Sequence, residues 1–113
     1  MLLGQVDPAR RFLPIAALQA QLDAMAYAKL NVMHIHMTDD QSWPLIVPSI
    51  PELAKNGAFS PEHTYSLAQI DSLVEYARFR GIRTYPISIY RCQKGGSLVN
   101  YRGVTYRPGI AAY

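Results

Sequence analysis

Two stretches with helical spacing, each lying between short β-type runs, constrain this chain more than any other feature. From Ile15 to about Leu30 the apolar residues Ile15, Leu18, Leu22, Met25 and Ala26 recur at three and four, as on one face of a helix. Alanine is frequent there and favours helix. Pro14 suits the first turn, where its missing N–H leaves no bond unmade. Asn31 is the expected stop. The second helix starts at Ser66-Leu67-Ala68-Gln69, which fits a capping box. Ile70, Leu73, Val74 and Ala77 supply its buried stripe. Arg78 and Arg80 suit the negative end of its dipole, and Gly81 is the expected residue just past its end.

The intervening runs read as strands. Gln5-Val6-Asp7 is a short strand end, broken by Pro8. Val32 to Met37 has period two, with Val32, His34 and His36 to one side and Met33, Ile35 and Met37 to the other. Ile82 to Tyr90 is the third candidate, with Pro86 limiting how far a regular ladder runs. Thr38 to Pro51 reads as a long loop punctuated by Pro44, Pro48 and Pro51. At most a short helical turn follows near Glu52-Leu53-Ala54-Lys55, and Asn56-Gly57 signals a turn. Strand, helix, strand, helix, strand predicts an α/β fold with parallel pairing and crossover helices. Functional groups in such folds gather at the C-terminal ends of the strands. That rule selects Asp7 to Arg10, His34 to Trp43, and whatever follows Pro86.

Composition removes several classes. Half of the 113 residues are hydrophobic and 17% are charged, as in an ordinary globular protein. The sequence has no apolar run long enough to cross a bilayer. Met1 to Asp7 lacks the basic start of a secretory signal. The single cysteine, Cys92, excludes an internal disulfide and a Cys-based zinc site. Gly-rich phosphate loops and Walker motifs are absent too. The net charge of +3 is unevenly placed. The first ninety residues carry seven Lys/Arg against all eight acids, while the last 23 hold Arg91, Lys94, Arg102 and Arg107 and no acid. The basic character belongs to the tail, and no nucleic-acid partner is expected from it.

The densest polar cluster is His34-Ile35-His36-Met37-Thr38-Asp39-Asp40-Gln41-Ser42-Trp43-Pro44. Two histidines share a strand face and two carboxylates follow the strand end. Paired carboxylates can divide into an ionised member and a raised-pKa member, and Trp43 offers a flat apolar wall. Three other uses of the same residues compete: metal ligation, core histidines with satisfied hydrogen bonds, and a simple Asx-capped turn. In Asp7-Pro8-Ala9-Arg10-Arg11-Phe12, an arginine just past a strand is a fork of donors for hydroxyls or carboxylates; a solvated pair of arginines is the alternative. His63 is assigned no role.

At this cluster the sequence resembles a known family. Leu30 to Pro44 is similar to the second-strand motif of glycoside hydrolase family 20, the β-N-acetylhexosaminidases. Val6 to Pro14 resembles the family's first-strand segment, and Leu22 to Tyr27 its first helix. Pro51-Glu52-Leu53 and Gly57-Ala58-Phe59-Ser60 resemble the following loop, and Val74 to Arg83 the second helix and third strand. The matches are collinear and span roughly residues 4 to 86.

The resemblance implies part of a (β/α)₈ TIM barrel, about its first three strands and two helices, over residues 1–90. Residues 91–113 would form a non-family, irregular basic tail. It implies removal of terminal N-acetylglucosamine or N-acetylgalactosamine from glycans and glycoconjugates by a substrate-assisted retaining mechanism. No metal and no organic cofactor is expected. Family members often dimerise and are typically lysosomal, vacuolar or extracellular; the chain itself specifies no compartment. Carried over by position, Arg10 matches the arginine that grips sugar hydroxyls. Asp39 matches the aspartate that supports the catalytic acid through a histidine. His36 and Asp40 match substrate-binding positions at the edge of the pocket, and His34 a structural one. Arg11 stands where the family usually has histidine. After Pro86 the family's Glu-Phe-Asp-Thr-Pro-Gly-His type segment is replaced by Ile87-Ser88-Ile89-Tyr90-Arg91-Cys92, and the Asp-Glu catalytic pair is absent from these residues. The expectation is an N-terminal barrel fragment without turnover of its own. The alternative is a non-catalytic carbohydrate-binding or regulatory fragment.

Overall fold

A computed structural model describes residues 2–39 and 41–88. The order is β1 (Leu3–Val6), α1 (Ile15–Tyr27), β2 (Val32–Thr38), α2 (Glu52–Gly57), α3 (Leu67–Arg78) and β3 (Arg83–Ser88). The three strands form one parallel sheet in the order β1-β2-β3. Leu3 pairs with Val32 and Val6 with Ile35 on one side of β2; Val32 pairs with Arg83 on the other. The β2–β3 register shifts between His36 and Thr38, so Thr38 aligns with Ser88. Pro86 does not stop the ladder. It lies on β3, an edge of the described sheet, where a missing N–H is tolerated.

The period-two reading of β2 decides the layering. Met33, Ile35 and Met37 join Leu18, Leu22 and Met25 of α1 and Ile70, Leu73 and Ala77 of α3 in one hydrophobic cluster. Each fully buried Leu, Ile or Met side chain there contributes roughly 1.5–3 kcal/mol. Gly4 lets β1 approach this layer, because a Cβ there would lie 2.9 Å from the Met25 sulfur. The other face of β2 carries His34, His36 and Thr38. Asp23 on α1 and Tyr76 and Arg80 at the end of α3 lock the two long helices together. The Tyr76 hydroxyl donates to both Asp23 oxygens at 3.1 and 3.0 Å, and Arg80 Nε donates to Asp23 while its guanidinium stacks 3.4 Å over the Tyr76 ring.

Both long helices end on the same device. At α3, Gly81 takes φ +69°, its N–H bonds Arg78 C=O at 3.0 Å, and Ile82 N–H bonds Ala77 C=O at 3.0 Å. This paired closure needs a left-handed residue. At α1 the left-handed residue is Lys29, with φ 59°; Lys29 N–H bonds Ala26 C=O at 3.1 Å and Leu30 N–H bonds Met25 C=O at 2.9 Å. The helix therefore stops at Tyr27, short of Leu30, and Lys29 is the stop in place of Asn31. Asn31 instead accepts the Leu2 N–H on its side-chain oxygen at 3.1 Å. The capping box at Ser66 is formed in full: Ser66 Oγ accepts from Gln69 N–H, and Gln69 Oε1 from Ser66 N–H. The turn expected near Glu52 is a complete six-residue helix, giving three helices among the described residues where two were expected. No described helix is long and apolar enough to cross a membrane.

Candidate functional site

The C-terminal ends of β1 and β2 lie side by side, and each hands its chain to a loop bearing a charged residue. After β1, Asp7 Oδ1 accepts the Arg10 N–H at 3.1 Å and Asp7 C=O accepts the Arg11 N–H at 3.3 Å. This is the local side-chain bonding that makes Asp a turn residue. Ala9 N–H then bonds His36 C=O at 3.1 Å, which seats the loop on β2. After β2, Asp39 and Ser42 exchange two backbone hydrogen bonds, at 2.9 and 3.2 Å, across the two residues between them.

These turns bring together three of the four residues selected from sequence. Asp39 Oδ2 accepts from Arg10 Nε at 3.2 Å, and His36 Nε2 lies 3.5 Å from the same oxygen. Asp7 Oδ2 sits 3.6 Å from Arg10 Nε. The side chains grade from His36, 8% exposed, through Asp39 at 15% to Arg10 at 70%. A buried imidazole, a nearly buried carboxylate and an exposed guanidinium thus form a line from the sheet to solvent. A pair this exposed at one end adds about 0–1 kcal/mol to stability. At 3.5 Å the His36–Asp39 approach is at the limit of hydrogen bonding. His36 Nε2 has no hydrogen-bond partner among the described residues, and neither do His34 Nε2, Thr38 Oγ1 or Ser42 Oγ. The polar face of β2 therefore presents a row of buried polar atoms.

Asp40, the fourth selected residue, lies outside the described residues, as does the whole 91–113 tail. Trp43 is half-buried; it packs on the core, and its backbone N–H donates to Gly57 C=O at 2.8 Å. Among the described residues no three His, Cys, Asp or Glu side chains gather as a metal site would.

Of two supporting residues, Asp7 falls in the segment selected from sequence but has no role of its own in that reading, and Tyr65 is not singled out. Asp7 braces Arg10, and Asp7-Pro8 carried a usable turn signal for it. Tyr65 has no local signal. It is fully buried, its ring stacks on Phe12 at 4.8 Å between centroids, and its hydroxyl bonds both backbone groups of Leu13, 52 residues away. Burial pushes its phenol up to about 12 against the opposing pull of the Leu13 hydrogen bond.

The Arg–Asp–His line thus lies at the C-terminal ends of parallel strands, where α/β folds gather their functional groups. Residues 4–87 match the model of the glycosyl hydrolase family 20 catalytic domain, and the chain belongs to that family. It is 46% identical over 81 residues to a beta-hexosaminidase subunit beta of Felis catus, covering 72% of this chain and 15% of that protein. A beta-hexosaminidase of Emericella nidulans is 47% identical over 81 residues, 72% of this chain and 13% of that one. Among solved structures, a chitobiase of Flavobacterium johnsoniae superposes with TM-score 0.68 at 34% identity, covering 73% of this chain and 12% of its own. A family 20 β-N-acetylhexosaminidase from Streptomyces coelicolor gives 0.67 at 30%, covering 75% and 18%. The chain spans about 15% of the length of these curated relatives.

Proposed function

We propose that this chain is the first part of a β-N-acetylhexosaminidase barrel acting on glycans or glycoconjugates with terminal N-acetylhexosamine. The observation that carries the reading is the meeting of Arg10, His36 and Asp39 at the ends of two adjacent parallel strands. Residues 1–90 belong to the barrel and 91–113 to a separate segment; the family match ending at residue 87 supports that division. Both of Arg10's carboxylate contacts run through Nε. Its terminal Nη pair is left to grip two vicinal sugar hydroxyls, the use for which a planar fork is suited. Asp39 supports the acid/base, His36 and Asp40 line the sugar's edge, and no metal or cofactor takes part. Glycosidic cleavage needs a proton donor for the leaving oxygen. The 113 residues contain no adjacent Asp-Glu pair to supply it. Binding is therefore expected of this chain, and turnover is not.

The test is a titration of the ¹⁵N-labelled chain with N-acetylglucosamine, N-acetylgalactosamine and glucose. Shifts at the Arg10, His36 and Asp39 amides with both amino sugars, abolished in Arg10→Ala, are expected. Equal shifts with glucose, or none at these amides, would sink the reading. Loss of the sugar response in Arg10→Ala should come with a change in unfolding free energy below about 1 kcal/mol. Cleavage of a chromogenic N-acetylglucosaminide by the chain alone would overturn its assignment as catalytically incomplete.

A further inference from the structure

The two loops that meet in the candidate site are tied together by a residue from neither. Tyr65 precedes α3. Its N–H donates to Pro44 C=O at 2.7 Å and its C=O accepts from Ile46 N–H at 2.8 Å, which holds it to the loop descending from Asp39. Its hydroxyl accepts from Leu13 N–H at 3.1 Å and donates to Leu13 C=O, which holds it to the loop descending from Arg10. Leu13 stands before Pro14 and the first residue of α1, so neither of these groups has a partner within the helix. The Phe12 ring lies against Tyr65 on one side of that connection, stacked at 26°, and also meets the His63 ring at 4.9 Å.

We infer that Tyr65 is a positioning residue for this site: its hydroxyl fixes the Arg10 loop against the Asp39 loop and so sets the reach of the guanidinium to the carboxylate. The inference rests on the reading of Arg10 and Asp39 as one site. Three features assign the role to the hydroxyl rather than to the ring. A buried phenylalanine would fill the same space and stack equally on Phe12. It would leave the Leu13 N–H and C=O without a partner. Arg10, three residues before Leu13, is otherwise located by its own turn at Asp7 and by Ala9 on His36, both upstream of it. Tyr65 supplies the downstream fixation.

The experiment compares the labelled full chain with Tyr65→Phe and with Tyr76→Phe, whose hydroxyl bonds Asp23 in the helix layer. Tyr65→Phe should speed amide exchange at Leu13 by about tenfold. It should also shift the Arg10 Nε–H signal while the Leu73 and Ala77 amides keep their protection. Tyr76→Phe should leave Leu13 and Arg10 unchanged. Unaltered Leu13 and Arg10 signals in Tyr65→Phe, or exchange rising equally at Leu13, Leu73 and Ala77, would overturn the proposal. If that variant does not fold, the wild-type hydroxyl decides. A slowly exchanging Tyr65 hydroxyl proton close to Leu13 upholds the proposal; one exchanging as fast as that of exposed Tyr27 refutes it. The sugar titration separates the two readings. A chain whose Arg10 signal moves in Tyr65→Phe but which takes no N-acetylglucosamine keeps the positioning role and loses the sugar assignment.

Discussion

At the scale of single residues, the site depends on close approaches more than on strong bonds. The loop that carries Asp39 continues through Ser42 to Trp43, and Trp43 rests on Gly57. A Cβ at Gly57 would stand 2.7 Å from Trp43 Cβ and 3.3 Å from its backbone nitrogen. Neither atom is the end of a flexible chain, so the loop itself must move. Gly57→Ala is expected to cost about 1–3 kcal/mol in chemical denaturation and to perturb the Ser42 and Asp39 amides. Gly4→Ala meets only the thioether end of Met25 at 2.9 Å. That side chain can swing aside, and the variant should stay within about 1 kcal/mol of the parent. Gly4→Ala proving the costlier of the two would refute this account. The chemical residues of the site were legible because they follow their strands directly: Arg10 and Asp39 lie within four residues of β1 and β2. The close approach of Gly57 to Trp43 was not legible, because Asn56-Gly57 is an ordinary turn signal whatever packs upon it. Tyr65 was hidden for a similar reason: a tyrosine in a polar loop gives no sign of a backbone partner 52 residues upstream.

At the scale of elements, the two long helices differ chiefly in how well their sequence fits their ends. α3 has a capping box at its start and glycine at its left-handed exit. α1 begins at Pro14 without a side-chain cap and leaves through a left-handed lysine. For a residue with a Cβ that conformation costs roughly 1–2 kcal/mol. Lys29→Gly should therefore stabilise the chain by about 0.5–1 kcal/mol once the greater freedom of unfolded glycine is subtracted. Gly81→Ala should destabilise it by about 1 kcal/mol, although nothing lies within 4 Å of the added methyl. Opposite signs in urea midpoints are the expected result, and equal signs would contradict the strain argument. The same comparison shows where pattern reading works. Gly81 announces the end of α3. Lys29 announces nothing, and so α1 read as running to Leu30. The apolar spacing, by contrast, located both helix faces and both faces of β2, because burial against a single layer leaves few other solutions.

At the scale of the whole molecule, the sheet of the described residues has β1 and β3 at its edges and a polar face carrying His34, His36 and Thr38. Parallel sheets are normally covered on both faces, and barrel closure removes edges altogether. This supports the reading of the described part as a sector of a barrel whose remaining strands complete the site. Among the described residues, pH acts on stability through Tyr65, Tyr76 and Asp23. Burial raises Tyr65 from 10.0 to about 12, so the fold holds the neutral phenol more tightly than the unfolded chain does. Tyr76 is raised as well, by desolvation first and by its bond to Asp23 second. Stability from these phenols is fully present below pH 10.0 and is lost as pH rises, for Tyr65 through the window from 10.0 to about 12. Asp23 has the opposite sign. Its bonds from Arg80 and Tyr76 hold it below its ordinary 3.8, so its share is present above that value and fades as pH falls below it. Urea midpoints measured against pH should therefore fall across the alkaline window. In Tyr65→Phe the fall should be shallower, because that variant has no phenol to ionise at this position. An alkaline limb equally steep in Tyr65→Phe and the parent would show that the buried hydroxyl does not govern the transition.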